Sequence, residues 1–274
     1  MALGVVYMYV FDHVELSNLS LFDANCHLGH SEVTSMRAPV SPLQLLQEMD
    51  RCGIAEALVY HASAALYAPV FGNNRLLEET TGKERLHLCW VALPHQTREI
   101  GAPTDFIEQL SAAGVRAVRM FPSRFSFSLS DWSIAELLMQ LDERQIPLFL
   151  DFERSHWAEN VVSYDEVYRI CKEYRHLPVI LVREGIGSTR YLYPLFEKCE
   201  NLRIEISYYQ AASGLEDITQ RFGVKRLLFG TGLPIYSAGP AITMLLHSDL
   251  SIEEKRMIGG DNLRELLGAV NLEK

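Results

Sequence analysis

Lysine is scarce in this chain of 274 residues: it supplies six of the 25 cationic side chains, arginine the other 19, against 35 acidic groups. Lys83, Lys172, Lys198, Lys225, Lys255 and Lys274 all fall in segments that read as helices, turns or the terminus. No strand end therefore offers the amine that a Schiff-base aldolase requires. No run of basic residues occurs, and the net charge is −10, so neither nucleic acid nor an anionic membrane is an expected partner. Cysteine is sparse and dispersed (Cys26, Cys52, Cys89, Cys171, Cys199), without Cys-x-x-Cys or Cys/His finger spacing. That pattern excludes a disulfide scaffold and fits free thiols in a reducing compartment. A bilayer-spanning apolar run is missing too, and no Ser/Gly-rich linker divides the chain. The apolar start, residues 1–11, lacks a basic flank and meets Asp12 and His13 at once, so a cytoplasmic protein is expected rather than an exported one.

What the sequence does have is regular alternation. Apolar runs at 21–27, 57–60, 86–93, 116–121, 148–151, 179–182, 202–207 and 226–229 read as strands, each followed by an amphipathic segment. Ser41-Pro42-Leu43-Gln44 carries a capping box with proline at the first helical position, and Gly53 stops that helix. Further helices are expected at 74–80, 105–113, 132–144, 165–174, 190–199, 215–222, 241–247 and 252–267, with Asn73 and Asn74 as caps. Eight such units predict an α/β fold, a (β/α)8 TIM barrel over 21–274, preceded by an extension at 1–20 that lies as a strand or a lid over one barrel end. An open doubly wound sheet is the alternative, but residues 23–29 carry no dinucleotide-binding glycine pattern.

Catalytic groups in such a barrel stand at the C-terminal ends of the strands. Asp23, Asn25 and His27 alternate on the first strand and are expected to share a face. Tyr60-His61 ends the second, Arg119 the fourth, Asp151 the fifth with Glu153 just beyond, and Arg183 follows the sixth. Arg203, Glu205 and Ser207 alternate on the seventh, and Gly230-Thr231-Gly232 ends the eighth. Cys26 alternates away from His27, so a Cys–His nucleophile pair is not expected. The glycine pair could offer backbone N–H groups to a phosphate, a weak signal.

These residues also carry a resemblance. Asp23-Ala24-Asn25-Cys26-His27 resembles the opening Asp-x-His-x-His signature of the amidohydrolase superfamily, with Asn25 at the first histidine. Met49-Asp50-Arg51-Cys52-Gly53-Ile54 resembles its Met-Asp-x-x-Gly-Ile segment. Phe229-Gly230-Thr231-Gly232-Leu233-Pro234 is similar to its last-strand Phe-Gly-Ser/Thr-Asp-x-Pro. The similarity spans residues 20–268 and is strongest toward the amidohydrolase 2 branch of TIM-barrel metal-dependent hydrolases.

The resemblance implies a metal centre of two first-strand histidines, one histidine each on strands five and six, and an aspartate on strand eight. Here those positions hold Asn25, His27, Asp151, Arg183 and Gly232, so one ligand of five remains. A guanidinium has no lone pair to give a metal. The absent lysines also remove the carboxylated-lysine bridge of binuclear relatives. The expectation is therefore an Arg–carboxylate network in place of the metal. Arg119 and Arg183 would bind a small carboxylate-bearing substrate, with Asn25, Glu153 and His61 beside it, and His27, Asp151 and Glu205 would be the catalytic groups. Three alternatives stay open: a purely structural network, a rebuilt metal site such as zinc on His27, Asp151 and Glu205 with His61, and a His27 that is only a core residue. The expected function is a divergent hydrolase or lyase without the standard metal centre. The alternative is a catalytically inactive barrel that binds a ligand or regulates. Homo-oligomer formation is left open.

Overall fold

The computed structural model describes residues 18–152 and 163–273; the expected lid at 1–11 lies outside them. Eight strands form one sheet: β1 Leu21–Leu28, β2 Ile54–His61, β3 Leu86–Val91, β4 Ala117–Met120, β5 Leu148–Asp151, β6 Val179–Val182, β7 Leu202–Glu205 and β8 Leu227–Leu228. They lie in sequence order, each parallel to the next. The last strand returns to the first. The Ala24 N–H donates to the Phe229 carbonyl at 2.8 Å, His27 N–H to Leu233 at 3.0 Å, and Gly232 N–H to Asn25 at 2.9 Å. The sheet thus closes into a barrel, which excludes the open-sheet alternative.

The helices between strands are α1 Pro42–Cys52, α2 Ala62–Leu66, α3 Pro69–Thr80, α4 Pro103–Ala112, α5 Asp131–Glu143, α6 Tyr164–Glu173, α7 Thr189–Lys198 and α8 Gly214–Phe222. They are followed by α9 Gly239–Leu246, α10 Ile252–Arg256 and α11 Asn262–Gly268. The Ser41–Gln44 capping box forms as expected, and Gly53 ends α1 in the left-handed region at φ 69°. The helices bury Leu45, Met49, Ile134, Leu138, Val167 and Leu192 against the outward-facing strand residues Leu148, Leu150, Val179 and Leu181. Inside the barrel, Phe22, Leu58, Phe149, Ile180 and Leu228 cluster with Leu263, Leu266 and Leu267 of α11, which fills the N-terminal end. Both faces of the sheet are thereby covered, as a parallel sheet requires.

Three local expectations need correction. The segment after β2 holds two helices rather than one starting at residue 74. Asn73 lies inside α3 and does not cap it: its amide accepts from Val91 N–H and donates to Val91 O, both at 2.9 Å, tying α3 to the end of β3. The helix expected over 252–267 is interrupted by a π turn, Met257–Asp261. That interruption lets the Ile258 carbonyl accept from Phe229 N–H at 2.9 Å, extending the pairing of the two-residue β8.

α2 and α3 cross where Gly72 meets Ala64, and a Cβ at 72 would run into the Ala64 backbone nitrogen. Gly72→Ala is expected to destabilise the fold by roughly 1–3 kcal/mol through overpacking. Gly187→Ala, with nothing near its added methyl, should stay within about 0.5 kcal/mol of the parent. Urea unfolding midpoints of the two variants check this, and equal midpoints would remove the close crossing.

Candidate active site

Asp151 ends β5 with its side chain fully buried. Such a carboxylate stays charged only beside compensating cations. Two arrive from the flanking strands. Arg119 of β4 donates from Nη2 to Asp151 Oδ2 at 2.5 Å. Arg183, one residue past β6, donates from Nε to Asp151 Oδ1 at 3.0 Å, and its Nη2 also bonds that oxygen. Burial pushes the Asp151 pKa up, but Arg183 and then Arg119 outweigh it and hold the carboxyl below its ordinary range.

A second layer orients the guanidiniums. Arg119 donates from Nη1 and Nη2 to Asn25 Oδ1, each at 3.0 Å. Asn25 Nδ2 donates onward to Glu205 Oε1 at 3.2 Å and to Ser207 Oγ at 3.3 Å. Glu205 also accepts from Arg183 N–H at 2.7 Å, Ser207 Oγ at 2.8 Å and Ser207 N–H at 2.8 Å. The bond from Arg183 N–H matters because Arg183 sits at φ 59°, left-handed backbone that a long side chain rarely adopts. Gly230 makes room, since a Cβ there would collide with Glu205 Oε2. Burial raises the Glu205 pKa against these donors.

His27 stands at the mouth above this network. Its Nε2 is buried with no hydrogen-bond partner among the described residues, and its ring lies 5.2 Å from that of Tyr60. Tyr60 also lies flat under Arg119, with Cζ 4.3 Å from the ring centroid. His27, Tyr60, Arg124, Arg183 and Ile235 line a cavity of about 80 Å3. Burial first, then the charges of Arg119 and Arg183, lower the His27 pKa from 6.5 to about 3. The imidazole is therefore neutral across the physiological range. A larger cavity of about 340 Å3, lined by Leu93, Phe125, Phe127 and Trp132 among others, lies to one side and includes none of the network's groups.

The structure thus brings together Asn25, His27, Arg119, Asp151, Arg183, Glu205 and Ser207. Other expected residues lie elsewhere. An irregularity in β1 between Asp23 and Cys26 shifts the register, so Asp23 does not share a face with Asn25 and His27. Asp23 instead accepts from Cys26 Sγ at 2.8 Å, from Thr231 N–H at 2.9 Å and from Thr231 Oγ1. Those bonds, with Gly232 N–H donating to Asn25 O, occupy the backbone groups that a phosphate after β8 would need. His61 turns away from the mouth. Its Nδ1 accepts from Ser63 N–H at 3.1 Å at the start of α2, and its Nε2 lies 3.8 Å from Glu79. Arg203 shares the face of Glu205 but at the opposite end of β7, where it donates to the Asn201 carbonyl. Glu153 lies outside the described residues. Sequence reasoning missed the role of Tyr60: a cation at a strand end wants an aromatic face, and the adjacent histidine drew the attention.

No protein-family model matches the sequence, and no curated protein matches it. Solved structures do. A 2,6-dihydroxybenzoate decarboxylase from Rhizobium superposes with a TM-score of 0.71 at 14% identity, over 91% of this chain and 98% of that one. A putative amidohydrolase from Staphylococcus aureus gives 0.70 at 14%, over 90% and 99%. A dihydroxybenzoic acid decarboxylase from Polaromonas, solved with manganese and 2-nitroresorcinol, gives 0.67 at 14%, over 91% and 97%. The fold is a TIM barrel like those of these structures. At these identities the likeness is one of fold alone. The donor set here does not fit a metal of that kind: both Asp151 oxygens accept from guanidinium groups, both Glu205 oxygens accept from N–H or O–H groups, and Arg183 cannot ligate. Among the described residues no three His, Cys, Asp or Glu side chains converge on a point that could hold an ion.

A buried neutral His27 has a signature in stability. Between pH 6.5 and about 3 the unfolded chain carries a proton on this residue that the folded chain does not, so stability falls as the pH drops through that window. The raised Glu205 acts in the opposite direction but is common to parent and variant. The stability of the parent relative to His27→Gln should therefore drop by roughly 2–4 kcal/mol from about pH 7 to about pH 4. Urea unfolding of both proteins across that range is the check; a difference that ignores pH would mean that His27 titrates normally.

Proposed function

We propose that this barrel is a divergent hydrolase or lyase acting on a small, carboxylate-bearing substrate without a divalent metal. The observation that carries the reading is the pairing, in one small cavity, of a guanidinium with a neutral imidazole whose Nε2 has no partner among the described residues. A guanidinium fork suits a carboxylate, and an unprotonated imidazole suits proton transfer. In this reading Arg183, backed by Arg119, binds the substrate carboxylate or polarises a carbonyl. Asn25 holds the Arg119 fork in place. His27 moves the proton at Nε2, and Glu205, which burial biases toward its protonated form, is the acidic reserve of the network. Asp151, held charged by two cations, keeps both guanidiniums aimed. His61 and Glu153 remain proposed contributors to substrate binding, the former only through its neighbour Ala62 on the cavity wall.

Carboxylate substrates also appear among the fold neighbours, as dihydroxybenzoate in the decarboxylases. Substitution of the strand-eight aspartate by Gly232 removes the usual base for activating water, which favours the lyase arm over hydrolysis. The same substitution is what favours the second reading, a ligand-binding barrel without turnover.

An occupant's negative charge would oppose the cations that depress His27, so anion binding should draw a proton onto it. Calorimetric titration with benzoate, and with benzamide as its uncharged counterpart, tests both points. Benzoate should bind with proton uptake that increases as the pH falls from about 7 toward 5, and benzamide should bind at least ~10-fold more weakly. Arg183→Met should weaken benzoate binding by ~10–100-fold. His27→Gln should keep that binding but abolish turnover in a screen of aromatic and aliphatic carboxylates. Equal binding of the two probes would overturn the anion site. Binding with no turnover by the parent would select the second reading. Stoichiometric zinc or manganese in protein purified without chelator would restore a metal hydrolase.

A further inference from the structure

The larger cavity beside the mouth, of about 340 Å3, has a lining that the proposed chemistry does not use. One wall comes from the segment after β3, where Leu93 and Pro94 lead through a 3-10 turn, His95–Thr97, to Glu99. The other is the loop from β4 to α5, which brings Phe125 and Phe127, with Trp132 in the first turn of α5. Gln96 Nε2 donates to the Ser133 carbonyl at 3.0 Å and ties the two walls together. Ser128 Oγ and Ser130 Oγ both donate to Glu166 Oε1, at 2.8 and 2.9 Å, which fixes the loop against α6. The cavity is therefore formed before anything enters it. Arg124, one residue before Phe125, lines the mouth cavity instead, so one loop contributes to both.

Phe125 and Phe127 are half-buried against the core, and Trp132 is 78% exposed. Among the described residues none of the three makes an aromatic or cation–π contact, so their ring faces are unpaired. Among the described residues that line the cavity, Glu99 is the one that ionises and none is cationic. Glu99 is exposed and makes neither an ion pair nor a hydrogen bond with any described residue. We propose that this cavity is a binding site for a small organic cation, an ammonium group carried on an apolar body. The face of an aromatic ring is the negative part of its quadrupole, and it attracts a cation most where water is displaced. The Glu99 carboxylate adds a full opposite charge at the rim. The dipole at the start of α5 opposes a cation, and Asp131 in that first turn offsets it. An anion would meet Glu99 and three electron-rich faces, so the substrate class proposed for the mouth is disfavoured here. A neutral apolar molecule would gain from burial but would leave Glu99 unpaired.

Benzyltrimethylammonium is the probe, and benzyl alcohol its uncharged counterpart. Calorimetric titration of the full-length protein gives the two affinities. The indole N–H signals in a heteronuclear NMR spectrum locate the site, with Trp132→Leu identifying the signal of Trp132. At low ionic strength the ammonium should bind at least ~10-fold more tightly than the alcohol. It should shift the Trp132 signal and leave that of the buried Trp90 in place. Trp132→Leu should weaken its binding ~5–30-fold. Glu99→Gln should weaken it ~3–10-fold and flatten its dependence on salt. Both side chains are exposed, so both variants should unfold at the parent's urea midpoint; if one does not, the parent's choice between the two probes decides. Saturating benzoate, bound at the mouth, should not displace the ammonium. Equal affinity for the two probes, an unmoved Trp132 signal, unchanged binding by both variants, or displacement by benzoate would each overturn the proposal.

Discussion

The charge on Asp151 is the constraint from which the barrel mouth is built. A carboxylate at the end of β5 with no access to water must be matched there, and the two guanidiniums that match it come from the strands on either side. Two cations on one anion then need further acceptors. The amide oxygen of Asn25 takes both Nη atoms of Arg119; an imidazole at that position offers one acceptor nitrogen and, when protonated, a third positive charge. Asn25, Arg119, Asp151 and Arg183 thus form one connected network. Where the resembling family places ligands around a cation, this chain places cations around a ligand-type side chain.

Glu205 transmits that arrangement through the rest of the mouth. Its carboxyl meets the backbone of Arg183, the backbone and hydroxyl of Ser207, and the amide of Asn25, joining β1, β6 and β7. The left-handed backbone at Arg183 costs on the order of 1–3 kcal/mol wherever a non-glycine residue adopts it, and the N–H bond to Glu205 holds it. The turn redirects the chain at the end of β6 so that the guanidinium comes back over Asp151. Gly230 serves the same end from β8, because any side chain there displaces the Glu205 carboxyl.

Most of the fold was legible because a parallel barrel repeats one instruction: an apolar run, a stop, an amphipathic helix. β5 and β6 fall on their expected residues, since Leu148–Asp151 and Val179–Val182 are bounded by proline before and polar groups after. The site was legible wherever period two holds, as from Phe149 to Asp151 and from Arg203 to Glu205. It failed in β1, where the irregularity after Asp23 turns that residue to the other side of the sheet. One inserted residue reverses every inward assignment, and nothing in Asp23-Ala24-Asn25-Cys26-His27 announces it. The choice between Tyr60 and His61 turned on the same phase. Asn73 was misread for a different reason: an asparagine near a helix start is usually local, whereas this one reaches a strand backbone distant in sequence.

The preference for arginine over lysine acquires a physical role at both ends of the barrel. At the mouth, Arg183 and Arg119 keep Asp151 charged, and burial, with these two cations assisting, keeps His27 unprotonated. At the far end, Arg226 donates to five carbonyls, those of Phe196, Cys199, Glu200, Leu202 and Phe222. A guanidinium tolerates burial in both settings because it stays charged and spends several donors in one plane; an ammonium placed at 119 would more readily lose its proton and could not fork to Asn25 and Asp151 together. At the mouth, burial and the neighbouring guanidiniums together set which groups carry a proton. An anion entering the mouth would change that balance directly, because its charge would oppose the two cations that help to keep His27 unprotonated.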